Sequence, residues 1–241
     1  TLLNPVLIPD VRTLNLGIYV QAEKEIGDWT LGAGARWDWQ QAEVERTLLW
    51  GAEAGNQPSR SENEPSGFLS AAYRLTERVE VFGGLGRSAR LPNGVERFLQ
   101  GGGDQYGNPE LKPARNTEAD LGAGYADDRL TIRAKAFYSH LDDFIYQERN
   151  ALGHATWANI DARIYGGDIQ GEVQLGGGFS LQGGVVCQRG EKIDQPQNNN
   201  DRDLAEIPPW KTRIGLAYEQ ERLDVLLEWV HAGRARYVDL D

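Results

Sequence analysis

The chain has 241 residues, enough for one large all-β domain or two smaller ones. Acidic residues outnumber basic ones 36 to 25, for a formal net charge of -11, and this balance, with no evident basic patch, argues against nucleic acid as a partner. A single cysteine, Cys187, excludes an internal disulfide framework. No run approaches the roughly 18 apolar residues of a membrane-spanning helix, which leaves spanning strands open because these need apolar residues on one face only.

In chain order, about ten segments alternate apolar and polar side chains with a period of two, the mark of a strand rather than a helix. The apolar set runs through Leu14, Leu16, Ile18 and Val20, then through Trp29, Leu31, Ala33, Ala35, Trp37 and Trp39. It continues at Leu69–Leu75, Val79–Leu85, Ala119–Tyr125 and Leu130–Tyr138. The last segments are Tyr165–Leu175, Phe179–Cys187, Ile214–Tyr218 and Leu223–Trp229. Each is predicted to be close to the 9–11 residues with which a tilted strand crosses a bilayer. Low helix content is expected.

The segments come in pairs. Short turns are expected at Lys24–Asp28, Thr76–Arg78, Ala126–Arg129, Gly176–Gly178 and Gln220–Arg222. Long polar loops are expected between pairs, at about Ala52–Ser66, Gly86–Arg115, Asp142–His154 and Arg189–Trp210. One rim is therefore tight and the other extended, the plan of an up-and-down barrel in an outer membrane. Aromatic residues close many runs (Trp29, Trp37, Trp39, Tyr73, Tyr125, Tyr138, Phe179, Tyr218, Trp229), as interfacial girdles do. A soluble sandwich also alternates and also places aromatics at strand ends. Charge in mid-strand, at Glu118, Asp120, Arg133, Lys135, Asp168 and Glu172, favours a polar lumen. The chain starts and stops in mid-pattern, and the expectation is an internal portion of a longer protein.

Chemistry-bearing patterns are sparse. His140, His154 and His231 are scattered without metal-ligand spacing. Gly83–Gly86 and Gly101–Gly103 lack the Lys-Ser/Thr and strand–helix setting of a phosphate cradle. Ser70 and Ser180 have no histidine in an obvious partner role. The acidic pairs Asp142-Asp143 and Asp201/Asp203 offer oxygens of the kind that hold Ca²⁺, but no full ligand set is spaced together, so solvated loops are the expected state. Cys187 shares the apolar parity and is expected to face lipid. No catalytic, cofactor-binding or metal-ligating residue is assigned, no cofactor is expected, and the chain is not read as an enzyme.

Four stretches carry a resemblance. These are Gly107-Asn108-Pro109-Glu110-Leu111-Lys112-Pro113 before a strand continuing to Asp120-Leu121-Gly122, Gly84–Pro92, Asn159–Asp168, and Ile207-Pro208-Pro209-Trp210-Lys211. In order and spacing they resemble the TonB-dependent receptors, gated outer-membrane transporters of Gram-negative bacteria. Ala114 stands where the family carries Glu. The resemblance covers essentially the whole chain and implies a barrel of about 22 strands closed around a plug domain. Residues 1–241 would be part of that single barrel domain, a partial barrel of about ten strands lacking the plug. It further implies outer-membrane lipid, TonB and the plug as partners, and uptake of a metal ion or metal chelate without covalent chemistry.

Within the family, Asn159–Arg163 and Arg202–Pro209 look most like copper receptors. Soft copper sites favour sulfur, and the chain has no Met and one Cys on the apolar parity, so copper ligands would have to lie outside these residues and the substrate stays open, with ferric siderophores and cobalamin as further candidates. Tyr106, Tyr146 and Trp157 are candidate ligand contacts only in the sense that loop or lumen aromatics suit such ligands. Two other readings remain at this point: a non-transporting surface receptor or adhesion barrel, and an outer-membrane hydrolase.

Overall fold

In a computed structural model, residues 10–46, 48–49, 52–53, 59–99, 105–149, 152–194 and 201–235 are described. The period-two segments form one antiparallel sheet. Its strands are β1 (Asp10–Ile26) and β2 (Trp29–Arg46), then β5 (Arg60–Arg74) after a two-residue pair, β3 (Leu48–Leu49) and β4 (Ala52–Glu53). β6 (Val79–Arg90), β7 (Ala114–Ala126), β8 (Leu130–Arg149), β9 (Ala155–Gly176), β10 (Phe179–Lys192), β11 (Lys211–Gln220) and β12 (Leu223–Ala232) complete it. Ten strands follow one another in chain order with no crossover, and β1 and β12 form its two ends without pairing with each other. Among the described residues the only helix is α1 (Gly94–Phe98), and no helix is long and apolar enough to cross a membrane.

The sheet confirms the alternation and corrects its reach. Strands run from 10 to 22 residues: β11 and β12 match the 9–11 predicted, and the other eight strands of the sheet exceed it. The excess lies almost wholly at the long-loop rim. The segment Asp142–His154, read from sequence as a loop, is mostly strand, since β8 continues to Arg149 and β9 begins at Ala155. β5 likewise starts inside Ala52–Ser66, β6 reaches Arg90, and β10 reaches Lys192. Polar side chains in these extensions broke the apolar pattern while the backbone ladder ran on, because ladder hydrogen bonds do not depend on side-chain polarity.

The short turns fall where predicted. At β9–β10, Gly176, Gly177 and Gly178 have φ of 88°, 64° and 86°, a region that side-chain-bearing residues avoid. At β7–β8, Asp127 caps its own turn, its carboxylate accepting from Tyr125 Oη (2.7 Å) and from the backbone N–H groups of Arg129 and Leu130 (2.8 Å each). These bonds, the tyrosine's foremost, hold the Asp127 carboxyl down to about 2.

Register puts the apolar set on one face, where Leu16, Val20, Leu69, Leu121 and Leu227 are all largely exposed. Cross-strand aromatics mark the short-turn rim: Trp29 meets Tyr73 and Phe179 meets Tyr218, each with ring centroids 4.6 Å apart. Trp39 shares a face with Trp29, ~33 Å along the strand at ~3.3 Å per residue. At a tilt of roughly 40° that is ~25 Å along the membrane normal, the height of a barrel's apolar band.

Packing is concentrated at the long-loop rim. Leu141, Tyr146, Ile160, Ala162 and Leu204 form one buried cluster, and Leu111, Ala114 and Ile145 another, with Trp157 against it. Loop segments thus fold down onto the extended β8–β9 pair, and this is the part of the molecule that resembles a soluble core.

Candidate functional site: the polar face and the long-loop rim

The face opposite the apolar band is lined by ions laid flat against the wall. Arg36 grips Asp38 with two hydrogen bonds of 2.6 Å over Gly17, where a Cβ would lie 2.4 Å from the guanidinium. Phe82 lies over Gly122, and the Arg133 guanidinium stacks on Phe82 at 3.7 Å while reaching toward Glu80 at 3.9 Å. Arg213 faces Glu228 at 3.5 Å. Ser139 Oγ donates to Glu118 Oε2 at 2.6 Å. A recess of about 490 Å³ opens on this face across β1, β2, β5, β6 and β7. Charge of both signs on one face and bare aliphatics on the other suit a wall between water and hydrocarbon.

At the rim, the Gly107–Pro113 motif is a structural clamp. Gly107 packs on the end of α1, where a Cβ would come within 2.6 Å of the backbone of Arg97 and Leu99. Asn108 Oδ1 accepts from the Glu110 N–H (2.9 Å), and its Nδ2 donates to the Trp157 carbonyl (2.8 Å). Leu111 is fully buried. Asn159 receives the Lys112 N–H (2.8 Å) and donates to the carbonyls of Lys112 (3.1 Å) and Asp143 (2.6 Å). Buried Arg97 ties α1 to both sides, donating to the Leu111 carbonyl (2.7 Å) and pairing with Glu62 on β5. Arg115 holds Glu64 in a two-pronged pair at 2.7 and 2.9 Å.

The structure separates the sequence candidates. Tyr146 is buried, with Lys192 Nζ donating to its hydroxyl at 3.2 Å, and Trp157 packs on the second core cluster, so both serve the rim's interior. Tyr106 is exposed and lies against His154 at 5.1 Å. His140 pairs with Asp142 at 3.2 Å, and His231 stands between Trp210 and Trp229. No group of three metal-binding side chains occurs among the described residues. Asp143 is engaged by Lys112 and Arg115, and Asp203 faces Arg189. Ser70 stands opposite Gly32 and Gly84, and Ser180 opposite Ala217 and Gln174, with no histidine across from either. Gly83–Gly86 is plain strand in β6, Gly101–Gly103 lies outside the described residues, and Cys187 is exposed on the apolar face opposite Gly167.

Sequence reasoning missed α1. Its signal was present as Asn93-x-x-Glu96, a capping box in which Asn93 Oδ1 accepts from Val95 and Glu96 while Glu96 accepts from the Asn93 N–H. It also missed Asn159 as the hub of the rim, for which no local signal exists.

A single antiparallel sheet with an aliphatic band, two aromatic levels and an ion-lined opposite face is the wall of an outer-membrane β-barrel. Residues 3–241 match the family model described as TonB dependent receptor-like, beta-barrel, and the chain belongs to that family. Among solved structures it is similar to the copper transporter OprC, at 24% identity and a TM-score of 0.81 over 95% of this chain and 35% of that one. It is also similar to the hemophore receptor HasR of Serratia marcescens (18%, TM-score 0.75, 94% and 44%). The ferric yersiniabactin uptake receptor FyuA of Yersinia pestis is a third (17%, 0.67, 91% and 34%). The chain thus spans between 34% and 44% of these neighbours' lengths, and at such identities the likeness shows the fold. A comparison with curated proteins found no match. Barrels of this family reside in the outer membrane of Gram-negative bacteria, and its members are transporters rather than enzymes.

Proposed function

We propose that residues 1–241 are part of a single barrel domain of a transporter that takes up a metal ion or metal chelate across the outer membrane, energised through TonB. The observation that carries this reading is the two-faced wall, lipid-compatible outside and ion-lined inside, beneath a braced rim of extended strands. Ligand would be captured at that rim and released inward when a plug in the lumen moves, with no bond made or broken in the ligand. Similarity to a copper transporter draws attention to copper. The chain supplies no Met and turns its one Cys to the outer face, so copper would need ligands from outside these residues. A ferric siderophore, whose chelator already satisfies the metal, makes no such demand.

Uptake in a deletion strain tests the reading. Radiolabelled copper, ferric chelates and cobalamin are each offered to the parent, the deletion strain and a strain lacking TonB. The expected result is loss of one of these uptakes in both mutants. Unchanged uptake of all of them in the deletion strain would overturn the proposal.

A further inference from the structure

We propose that the long-loop end of β1, β2 and β5 is a movable arm, hinged near Gly67 and latched to the rest of the rim by three ion pairs. The inference takes from the barrel reading only that this end stands clear of the bilayer. The wall forks here. β5 pairs with β6 from Arg74, opposite Glu80, as far as Gly67, opposite Arg87. Beyond that level residues 60–66 keep their partners on β2 but have none on β6, and residues 88–90 keep theirs on β7 alone. α1 and the Gly107–Pro113 clamp stand in the fork, and both ride with β9. The Glu96 and Leu99 carbonyls of the α1 segment accept from the Asn108 and Gly107 N–H groups, at 2.8 and 2.7 Å. The clamp is joined in turn to β9 by Tyr106 N–H on the Ala155 carbonyl (2.9 Å) and by the bonds of Asn108 and Asn159. Toward β5 the polar links among the described residues are ion pairs: Arg60 with Glu110 at 2.7 Å, Glu62 with Arg97, and Glu64 with Arg115 at 2.7 Å. Arg60, Glu62 and Glu64 alternate along β5 and so share one face, as a zipper does.

A latch of this kind opens more easily than a backbone ladder. Arg60–Glu110 is an outer pair, with Glu110 77% exposed, and such pairs contribute little and are screened by salt. Glu62–Arg97 is interior but imperfect. Glu62 Oε2 and Arg97 Nε are both buried without a hydrogen-bond partner, and an incompletely satisfied buried pair gives back much of its attraction as desolvation. Opening hydrates both atoms. The hinge level is built from glycine: Gly67 on β5 lies beside Gly34 on β2, where a Cβ would come within 2.7 Å of the Gly34 carbonyl, and Gly86 follows on β6. Glycine inside a strand marks a place where it bends. The recess on the polar face borders this level, at Gly34, Ser66, Gly67 and Gly86, so no packed side chains block a tilt of the arm.

Distances between paired spin labels test the arm in the full-length receptor, held in lipid nanodiscs. Cys187→Ser removes the native thiol, and labels are placed at Asn63→Cys on the arm and Gln147→Cys on β8, both exposed positions. The expected result is one distance at low salt and a second, displaced distance that gains population as salt rises. Labels at Asp128→Cys and Gln147→Cys, both off the arm, are expected to keep a single distance throughout. Glu62→Gln leaves Arg97 without its countercharge and is expected to populate the displaced distance even at low salt. The exposed pair keeps the test open where that variant fails to fold. Arg60→Glu, set against Glu110, is expected to raise the displaced share by about two- to fivefold, and adding Glu110→Arg to restore the parent distribution. A single arm distance at every salt, unmoved by Arg60→Glu and by any folded Glu62→Gln, overturns the proposal. So does a displaced distance that the off-arm labels share, because that would be general loosening. None of these readouts involves uptake, so failure here leaves the transport reading standing, and the converse holds.

Discussion

Single residues brace the rim. Asn159 satisfies one backbone N–H and two carbonyls on two separate segments, at 2.6 to 3.1 Å. Asn159→Leu keeps the volume and removes all three bonds; the part-buried Asp143 carbonyl loses its partner at a cost of roughly 1–3 kcal/mol, while the exposed Lys112 groups can turn to water. The expected outcome is a rim that limited proteolysis cuts within Gly107–Arg115 while the strands below stay protected. Gly107→Ala should act at the same place by another route, since its methyl would meet rigid backbone at 2.6 Å rather than a movable side chain. At the opposite rim, Asp127 gives a pH signature. Its folded pKa of about 2 lies below its ordinary 3.8, so its contribution to stability is present above that ordinary value and is lost as pH falls through about 2. Melting curves of the parent and Asp127→Asn are expected to differ at pH near 5 and to converge near 2. Persistence of the full difference at the acid end would show that the carboxylate is not the cause.

At the scale of the strand, alternation separates two solvents across a single backbone. Leu121 and Gly122 are adjacent in β7, one largely exposed on the apolar face and the other under the Phe82 ring. An arginine on the lipid side near mid-bilayer costs about 2–4 kcal/mol, whereas lumen positions tolerate charge. Leu121→Arg should therefore destabilise the receptor in vesicles by about that amount, and Gln170→Arg, on the polar face of β9, by far less. Denaturant unfolding in lipid measures both, and equal effects would mean that the faces are wrongly assigned. The same alternation explains why strand existence was legible and strand length was not. Leu130–Tyr138 announces β8, but Leu141 through Arg149 has no period, because there the strand leaves the bilayer and packs against loops on both sides. A bulge between Leu141 and Phe144, with Asp143 at φ 54°, also resets the parity, which no periodic template anticipates.

For the whole molecule, the outward band predicts where lipid touches protein. Trp29, Trp37 and Trp229 are about half exposed on that face. Their fluorescence should be quenched by lipids brominated near the headgroup more than by lipids brominated at the chain ends, as interfacial girdles require. Cys187, outward between those levels, should react with a lipid-soluble maleimide and resist a charged one. Reaction with the charged reagent alone would place it in water and overturn the assignment.

The sequence by itself determined the sheet, its two-faced character, its short-turn rim and the family, because period-two patterning and turn chemistry are local and survive without any knowledge of neighbours. Four motif stretches carried the resemblance for the same reason. Only the tertiary structure decided what those motifs do: Gly107–Pro113 is a clamp because Asn159, far along the chain, reaches back to Lys112. It also withdrew Tyr146 and Trp157 into the rim's core, revealed Arg97 and Glu62 as a buried tie, and opened the recess beside Asn116. Each of these depends on which strands stand side by side and at what register, and in an antiparallel sheet that is set by pairing between residues distant in sequence.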